Sequence, residues 1–432
     1  MPKVLSWLLP SWTQPEPSLP SPSTQILDEP LQHDVLTRLR SLIVVGGGGS
    51  WPPRATYRET WPVALRSYDS VYRAMEPSFP VPESSVDNAY NRKIIDSFRS
   101  RMRSQLDTHV DMEQVRRAFE GAESCPQGVW LGLFLCLSFL RHSYRWGVSP
   151  IVSEAQSEQS LDIPEELELP WRYLQRHFGT ASPGGCMTSL IYCNLREDDS
   201  LEYSVTVGLP EAHRSTEYWT TKLTSEMEVR ALPVYHLFAQ SIAHLDEGDA
   251  SAACATLKSA NETLRAAFKF FFSTMSEAHI SREVWMAYAQ GYQGWTLGGV
   301  DGSSGGQSVL FRTLDSFLGI RPFPTPEKES LHLPTAQRDW FNYLREYDIR
   351  AVVKACVEGE EGEALTAELD ALVKQLRVWR MGHMHRMVRY ESVHRPERQT
   401  MTAGISVVDS PSEDQMIEHL KRELGKRLAQ TV

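Results

Sequence analysis

Apolar positions along this chain recur with a helical period over most of its length. Between residues 57 and 125, Val63, Leu65, Tyr68, Val71 and Tyr72 fall at helical spacing, interrupted by the Pro-rich turn PSFPVP. Val129 to Trp146 is apolar on nearly every side and predicts a buried helix. Residues 151–170 are acidic and polar and predict an exposed loop ending at ELELP. The stretch 186–208 carries β-branched and alternating residues, and both a short helix and a hairpin fit it. After Pro210 the pattern changes to long helices: 215–244 with Ser215 or Thr216 as N-cap, 250–277 with the apolar run FKFFF, and 282–294. A helix ending at Phe317 follows, then 336–357, 363–392 and an amphipathic 413–428. Residues 1–56, rich in Pro, Ser and Gly with Gly46 to Gly49 in a row, predict an arm carrying one short helix near 31–42. The expected fold is all-α: that arm, a small mostly helical domain over 57–125, and a large helical bundle over 126–432.

Composition narrows the function classes. The chain has 432 residues, 41% apolar and 23% charged, which fits a globular protein with a sizeable core. Its 44 Lys and Arg against 55 Asp and Glu give a net charge of −11, which argues against nucleic acid or an anionic membrane as partner. The six cysteines are scattered with no CxxC pair, so buried free thiols in a reducing compartment are expected. The longest apolar run, Val129 to Leu140, is too short to span a bilayer, and MPKVLSWLLPSW is a poor signal peptide. A cytoplasmic protein is expected.

Chemistry concentrates near the C-terminus. In VKQLRVWRMGHMHRMVRY, residues 373–390, Leu376, Trp379, His383, Met387 and Tyr390 share one stripe, while His385 is turned away by roughly 200°. An imidazole inside an apolar stripe is either a core histidine with a buried hydrogen-bond partner or a ligand to a metal or haem. Upstream, GYQGWTLGGVDGSSGGQSVLFRTLDSFLGI at 291–320 places a Gly/Ser loop before a helix. Free N–H groups there can hold an anion, or the loop can be a plain connector. No strand precedes it and GKS/T is absent, so a nucleotide site is not indicated.

These segments together resemble the indoleamine 2,3-dioxygenase family. GW, a Gly/Ser loop closing on GQS, then a helix with Asp315 and LGI are similar to that family. LPTAQRDWF at 333–341 resembles its MPxxHRxF segment, with Gln337 in place of His. RVWRMGHMHRMVRY resembles its proximal-helix motif, with Arg380 three residues before His383 and Tyr390 seven after. EYWTTKLTSEMEVR at 217–230 is similar to the family segment DESWFYLVSVAMEAR. The resemblance covers about 200–410. It implies a b-type haem held by His383, one per chain, with the opposite iron face open to O2. It also implies a buried Asp315–Arg380 pair on the proximal side, and a loop over the haem in which Ser304 and Gly305 meet cofactor and substrate. The implied reaction inserts both atoms of O2 across the indole C2–C3 bond of tryptophan or a related indole, giving an N-formylkynurenine-type product. An electron donor would keep the iron ferrous.

The chain departs from the family pattern at several positions. Ala289 stands where the family has its substrate-carboxylate arginine, and Arg214 and Arg282 are the candidate substitutes. A buried carboxylate without a cation is costly. MTAGIS at 401–406 replaces the family's GTGGT loop, with Thr402 and Gly404 keeping its character. Val284 and Trp285 occupy substrate-facing positions of the family, although Trp285 also fits plain core. Glu217 could meet a substrate amine or be an exposed first-turn acid. Alternative readings are a haem monooxygenase or ring-rearranging enzyme acting on a modified tryptophan, and a haem-binding protein without turnover.

Overall fold

The computed structural model describes residues 22–28, 33–56, 58–80, 88–121, 125–148, 158, 160–295, 297, 300, 302–323, 325–391 and 413–432. Among them the fold is all-α, and the one pairing of extended backbone is an antiparallel bridge between Leu195 and Leu201. Also among them, no helix is long and apolar enough to cross a membrane.

The helix Gln127–Trp146 forms the centre of the front half. Every residue from Gly128 to Trp146 is buried, as a pattern with no polar face requires. Helices Arg66–Met75, Asn88–His109 and Glu165–Phe178 pack around it. The last of these differs from the loop expected over 151–170, because the chain turns helical at Glu165. Glu165, Glu166 and Glu168 sit in its first turn, where the helix dipole favours negative charge. Pro170 lies inside this helix and cannot donate to the Glu166 carbonyl, and the Tyr68 hydroxyl donates to that carbonyl instead at 2.7 Å. The ambiguous stretch 186–208 becomes a single helical turn, Met187–Leu190, then a 3-10 turn and the 195–201 bridge.

The back half is built on two long antiparallel helices, Glu211–Asp246 and Ala250–Thr274. The first opens at Glu211 behind Pro210, whose carbonyl accepts from His213 N at 2.9 Å, so it starts earlier than a Ser215 or Thr216 cap would allow. Gly359–Glu391, the histidine helix, packs along Ala250–Thr274, and Glu413–Ala429 packs on the histidine helix in turn. The helix expected over 336–357 is divided at Asp348, whose φ of 47° is left-handed and whose carboxylate caps the second piece through Ala351 N at 3.3 Å.

The N-terminal residues lie on this bundle. Asp34–Ser41 packs against Glu211–Asp246 and Thr335–Tyr347, and the Trp51 indole donates to Glu228 at 3.2 Å. A single apolar cluster runs from Ile26 and Leu39 through Trp130 to Trp379 and Tyr390. All six cysteines are free: Cys136, Cys186 and Cys193 are buried, and Cys356 is exposed.

Candidate functional site

The histidine helix carries the centre of the site. Leu376, Trp379, Met387 and Tyr390 are buried along its stripe; His383 sits half-buried among them, and His385 is exposed. The His383 ring stacks on Trp379 with centroids 4.7 Å apart and 15° between planes, and the Phe271 ring lies 5.9 Å away. Among the described residues no hydrogen-bond partner reaches either ring nitrogen. Burial, helped by the neighbouring Arg380 charge, pushes its pKa down to about 4, so the ring is neutral near pH 7 with a free lone pair. Gly382 allows this close packing, because a Cβ there would stand 2.7 Å from Phe272 Cζ.

Hydrogen bonds on both sides of His383 fix the helix. One turn before it, Arg380 donates from Nη2 to Asp315 Oδ1 at 2.7 Å and from Nη1 to Thr431 Oγ1 at 2.5 Å. Arg427 donates to the other Asp315 oxygen. One turn after it, Arg386 donates to the carbonyls of Phe272 and Met275 at 2.6 Å each, where helix Ala250–Thr274 ends. Tyr390 donates to the Ile280 carbonyl at 3.0 Å. The buried Asp315–Arg380 pair is therefore present, with a second arginine added to it.

The remaining candidate residues are spread over neighbouring elements. Val284 is buried, and Trp285 stands edge-on to Tyr390 at 5.7 Å, beside the end of the histidine helix. Ser304 is half-buried and accepts from Gly306 N at 3.1 Å, shaping the loop. Gly305 is exposed, with open space where a Cβ would be. The loop is pinned from beneath: Ser303 N donates to the Gln293 carbonyl at 3.0 Å, and the Gln307 amide bridges Met187 N and the Gly302 carbonyl. Glu217 accepts from the backbone and hydroxyls of Ser204, Val205 and Thr206. Burial raises its pKa against those stabilising bonds. It also lines a cavity of about 20 Å3 together with Ala289, Thr220, Tyr288 and Gln293, room for one water. No cation is among that cavity's lining residues. Arg214 and Arg282 are both largely exposed and paired, with Glu211 and Glu277 respectively at 2.6 Å. Gln337 donates to Thr188 Oγ1 at 2.9 Å. Thr402 lies outside the described residues.

Sequence reading missed the most connected polar group near the loop. Glu228 is buried and accepts from Trp51 Nε1, the hydroxyls of Tyr192, Tyr235 and Ser308, and Leu310 N, at 2.7 to 3.2 Å. It ties the N-terminal segment to the start of the helix Val309–Phe317. A signal was available, since an acid with Ala231, Leu232 and Tyr235 three, four and seven residues on stands on an apolar stripe. Arg427 and Thr431 had no comparable signal.

The donor chemistry fits an iron porphyrin. His383 offers one neutral nitrogen among aromatic rings, as an axial ligand requires, with guanidinium groups one turn away. Among the described residues no three His, Cys, Asp or Glu side chains gather as a bare metal ion would need. A family model described as indoleamine 2,3-dioxygenase matches residues 127–424, a span containing the histidine helix, the Gly/Ser loop and the helix that carries Glu217 and Glu228. No curated protein matches the chain.

Proposed function

The chain belongs to the indoleamine 2,3-dioxygenase family of haem-dependent oxidoreductases, and from that premise we propose that it oxidises an indole with O2 at a haem whose iron is held by His383. The observation that carries this reading is the His383 ring: neutral, stacked on Trp379 and without a hydrogen bond to any described residue. A bound haem b would supply the iron at which O2 reacts with the indole C2–C3 bond. An electron donor would keep that iron ferrous.

The protein's own groups do the positioning. Trp379 sets the plane of the His383 ring, and Gly382 lets the helix approach Phe272 closely enough to enclose it. Asp315 and Arg380 hold the helix one turn away, so the donor atom is aimed before any ligand arrives. Val284 and Trp285 offer an apolar and aromatic wall suited to an indole ring. Ser304 and Gly305 form a loop thin enough for backbone to approach the substrate. Glu217 and Ala289 lie together at a small cavity without a cation. With Ala289 uncharged and Arg214 and Arg282 exposed and paired with other carboxylates, this supports tryptophan analogues lacking a free carboxylate over tryptophan itself.

The test is an absorption spectrum of the purified protein with haem, followed by O2 uptake with a panel of indoles. A Soret band, indole-dependent uptake and a product two oxygen atoms heavier are expected. A gain of one oxygen atom would make the protein a monooxygenase. A Soret band without uptake would make it a haem binder, and no Soret band would overturn the proposal.

A further inference from the structure

The end of the chain is wired into the same carboxylate that holds the histidine helix. Arg427, on the helix Glu413–Ala429, donates to Asp315 through Nη2 and to the Arg321 carbonyl through Nη1 at 2.5 Å. Four residues later the fully buried Thr431 accepts from Arg380 Nη1 and donates to the Arg427 carbonyl at 2.9 Å. Its own carbonyl accepts from Arg377 at 3.1 Å. Asp315 thus bridges two guanidiniums, one on the histidine helix and one on the last helix. It belongs itself to the helix Val309–Phe317 that leads out of the Gly/Ser loop.

We propose that the last helix is a latch, with Arg427 and Thr431 as positioning residues that lock the histidine helix to the loop-bearing helix. This deepens the haem reading, because the proximal ligand's aim would be set partly from residues about fifty positions downstream. The physical case rests on burial and geometry. Asp315 and Arg380 are both almost fully buried, with side chains 3% and 8% exposed, so their pairing is little screened by water. A guanidinium has freedom about four side-chain bonds. Two anchors, Asp315 and the Thr431 hydroxyl, leave Arg380 one orientation, and its backbone lies one helical turn from His383. Without Arg427, Asp315 loses one of its two cations and the last helix loses its hold on the Arg321 carbonyl. Without the Thr431 hydroxyl, Arg380 keeps its charge partner but loses its second anchor. The two substitutions thus separate charge from positioning.

The experiment compares Arg427→Met, Arg427→Lys and Thr431→Val with the wild type, each loaded with haem. Haem transfer to excess apomyoglobin and the ferric/ferrous midpoint potential are measured. Haem loss should accelerate about tenfold in Arg427→Met and less in Thr431→Val. The midpoint should fall in Arg427→Met, which removes a cation, and stay near wild type in Thr431→Val. Arg427→Lys should restore most of both. Amide hydrogen exchange over 376–390 in haem-free protein gives a second readout, and it should quicken in both Arg427→Met and Thr431→Val. Wild-type haem loss and wild-type exchange in these two variants would overturn the latch. If the wild type holds no haem, it is the haem reading that fails, and the exchange measurement alone decides the latch.

Discussion

Two imidazoles in this protein are set in opposite ways. His142, in the middle of the front half, has both ring nitrogens in use: Nδ1 meets the Tyr292 carbonyl at 2.8 Å and Nε2 accepts from Gly185 N at 2.9 Å. His383, in the back half, has rings for neighbours and no hydrogen bond to a described residue. Burial pushes both pKa values down to about 4, so titration alone does not distinguish them. The difference lies in what the lone pair can do. His142 spends its lone pair on the backbone and acts as a structural staple between three segments. At His383 the flanking turns are tied down by hydrogen bonds from Arg380 and Arg386 while the ring nitrogen is left free, which is the arrangement a metal ligand needs. His332 is a third case, buried with a pKa also near 4 and an Nδ1 without a partner among the described residues, but it ends a seven-residue helix and stacks on no described ring.

Removing what holds the His383 helix should have the largest effect. Asp315→Ala leaves Arg380 and Arg427 facing each other without their shared carboxylate. A stability loss of about 3–5 kcal/mol is expected in urea unfolding, with haem retention lost as well. His142→Ala sharpens the contrast from the other side. It strands Gly185 N and the Tyr292 carbonyl and should cost about 2–4 kcal/mol while leaving haem binding intact.

Acid should act on both regions, and haem should alter its effect in only one. Each folded pKa lies below the ordinary value of 6.5, so the unfolded chain binds more protons between those limits. Stability is present above pH 6.5 and is lost as pH falls towards 4, with a ceiling of roughly 3 kcal/mol for His142. Urea midpoints from pH 7.5 to 4.5 measure this slope. Haem should steepen it towards pH 4.5, because an iron-bound His383 nitrogen would stay unprotonated where the free ring begins to titrate. A slope unaltered by haem would count against ligation. The smallest effect belongs to His385, which is exposed. His385→Ala should change stability by less than about 0.5 kcal/mol and leave the Soret band as it is.

The sequence made the stripe through His383 readable, because a period of 3.6 places Trp379 and Met387 beside it whatever the rest of the chain does. Asp315 and Arg380 were readable only through resemblance, since 65 residues separate them. The acidic, polar character of 151–170 hid the helix that starts at Glu165. Pro170 inside it is tolerated because the Tyr68 hydroxyl, 98 positions away, reaches the Glu166 carbonyl that the proline leaves free. Arg427 and Thr431 looked like one charged and one polar residue at the end of an amphipathic helix. Their roles come from tertiary contacts that no local pattern encodes. Glu217 reads in the sequence as a contact for a substrate amine or an exposed first-turn acid; the fold bonds it to Ser204, Val205 and Thr206 and keeps it at the cavity beside Ala289.

The most direct measurement is a haem titration followed by Soret absorbance in the wild type, His383→Ala, His142→Ala and His332→Ala. One haem per chain is expected in all but His383→Ala, whose band should be absent or typical of loosely held haem, with imidazole added to solution restoring part of it. An unchanged band in His383→Ala, or loss of the band in His332→Ala instead, would contradict the assignment of His383 as the iron ligand.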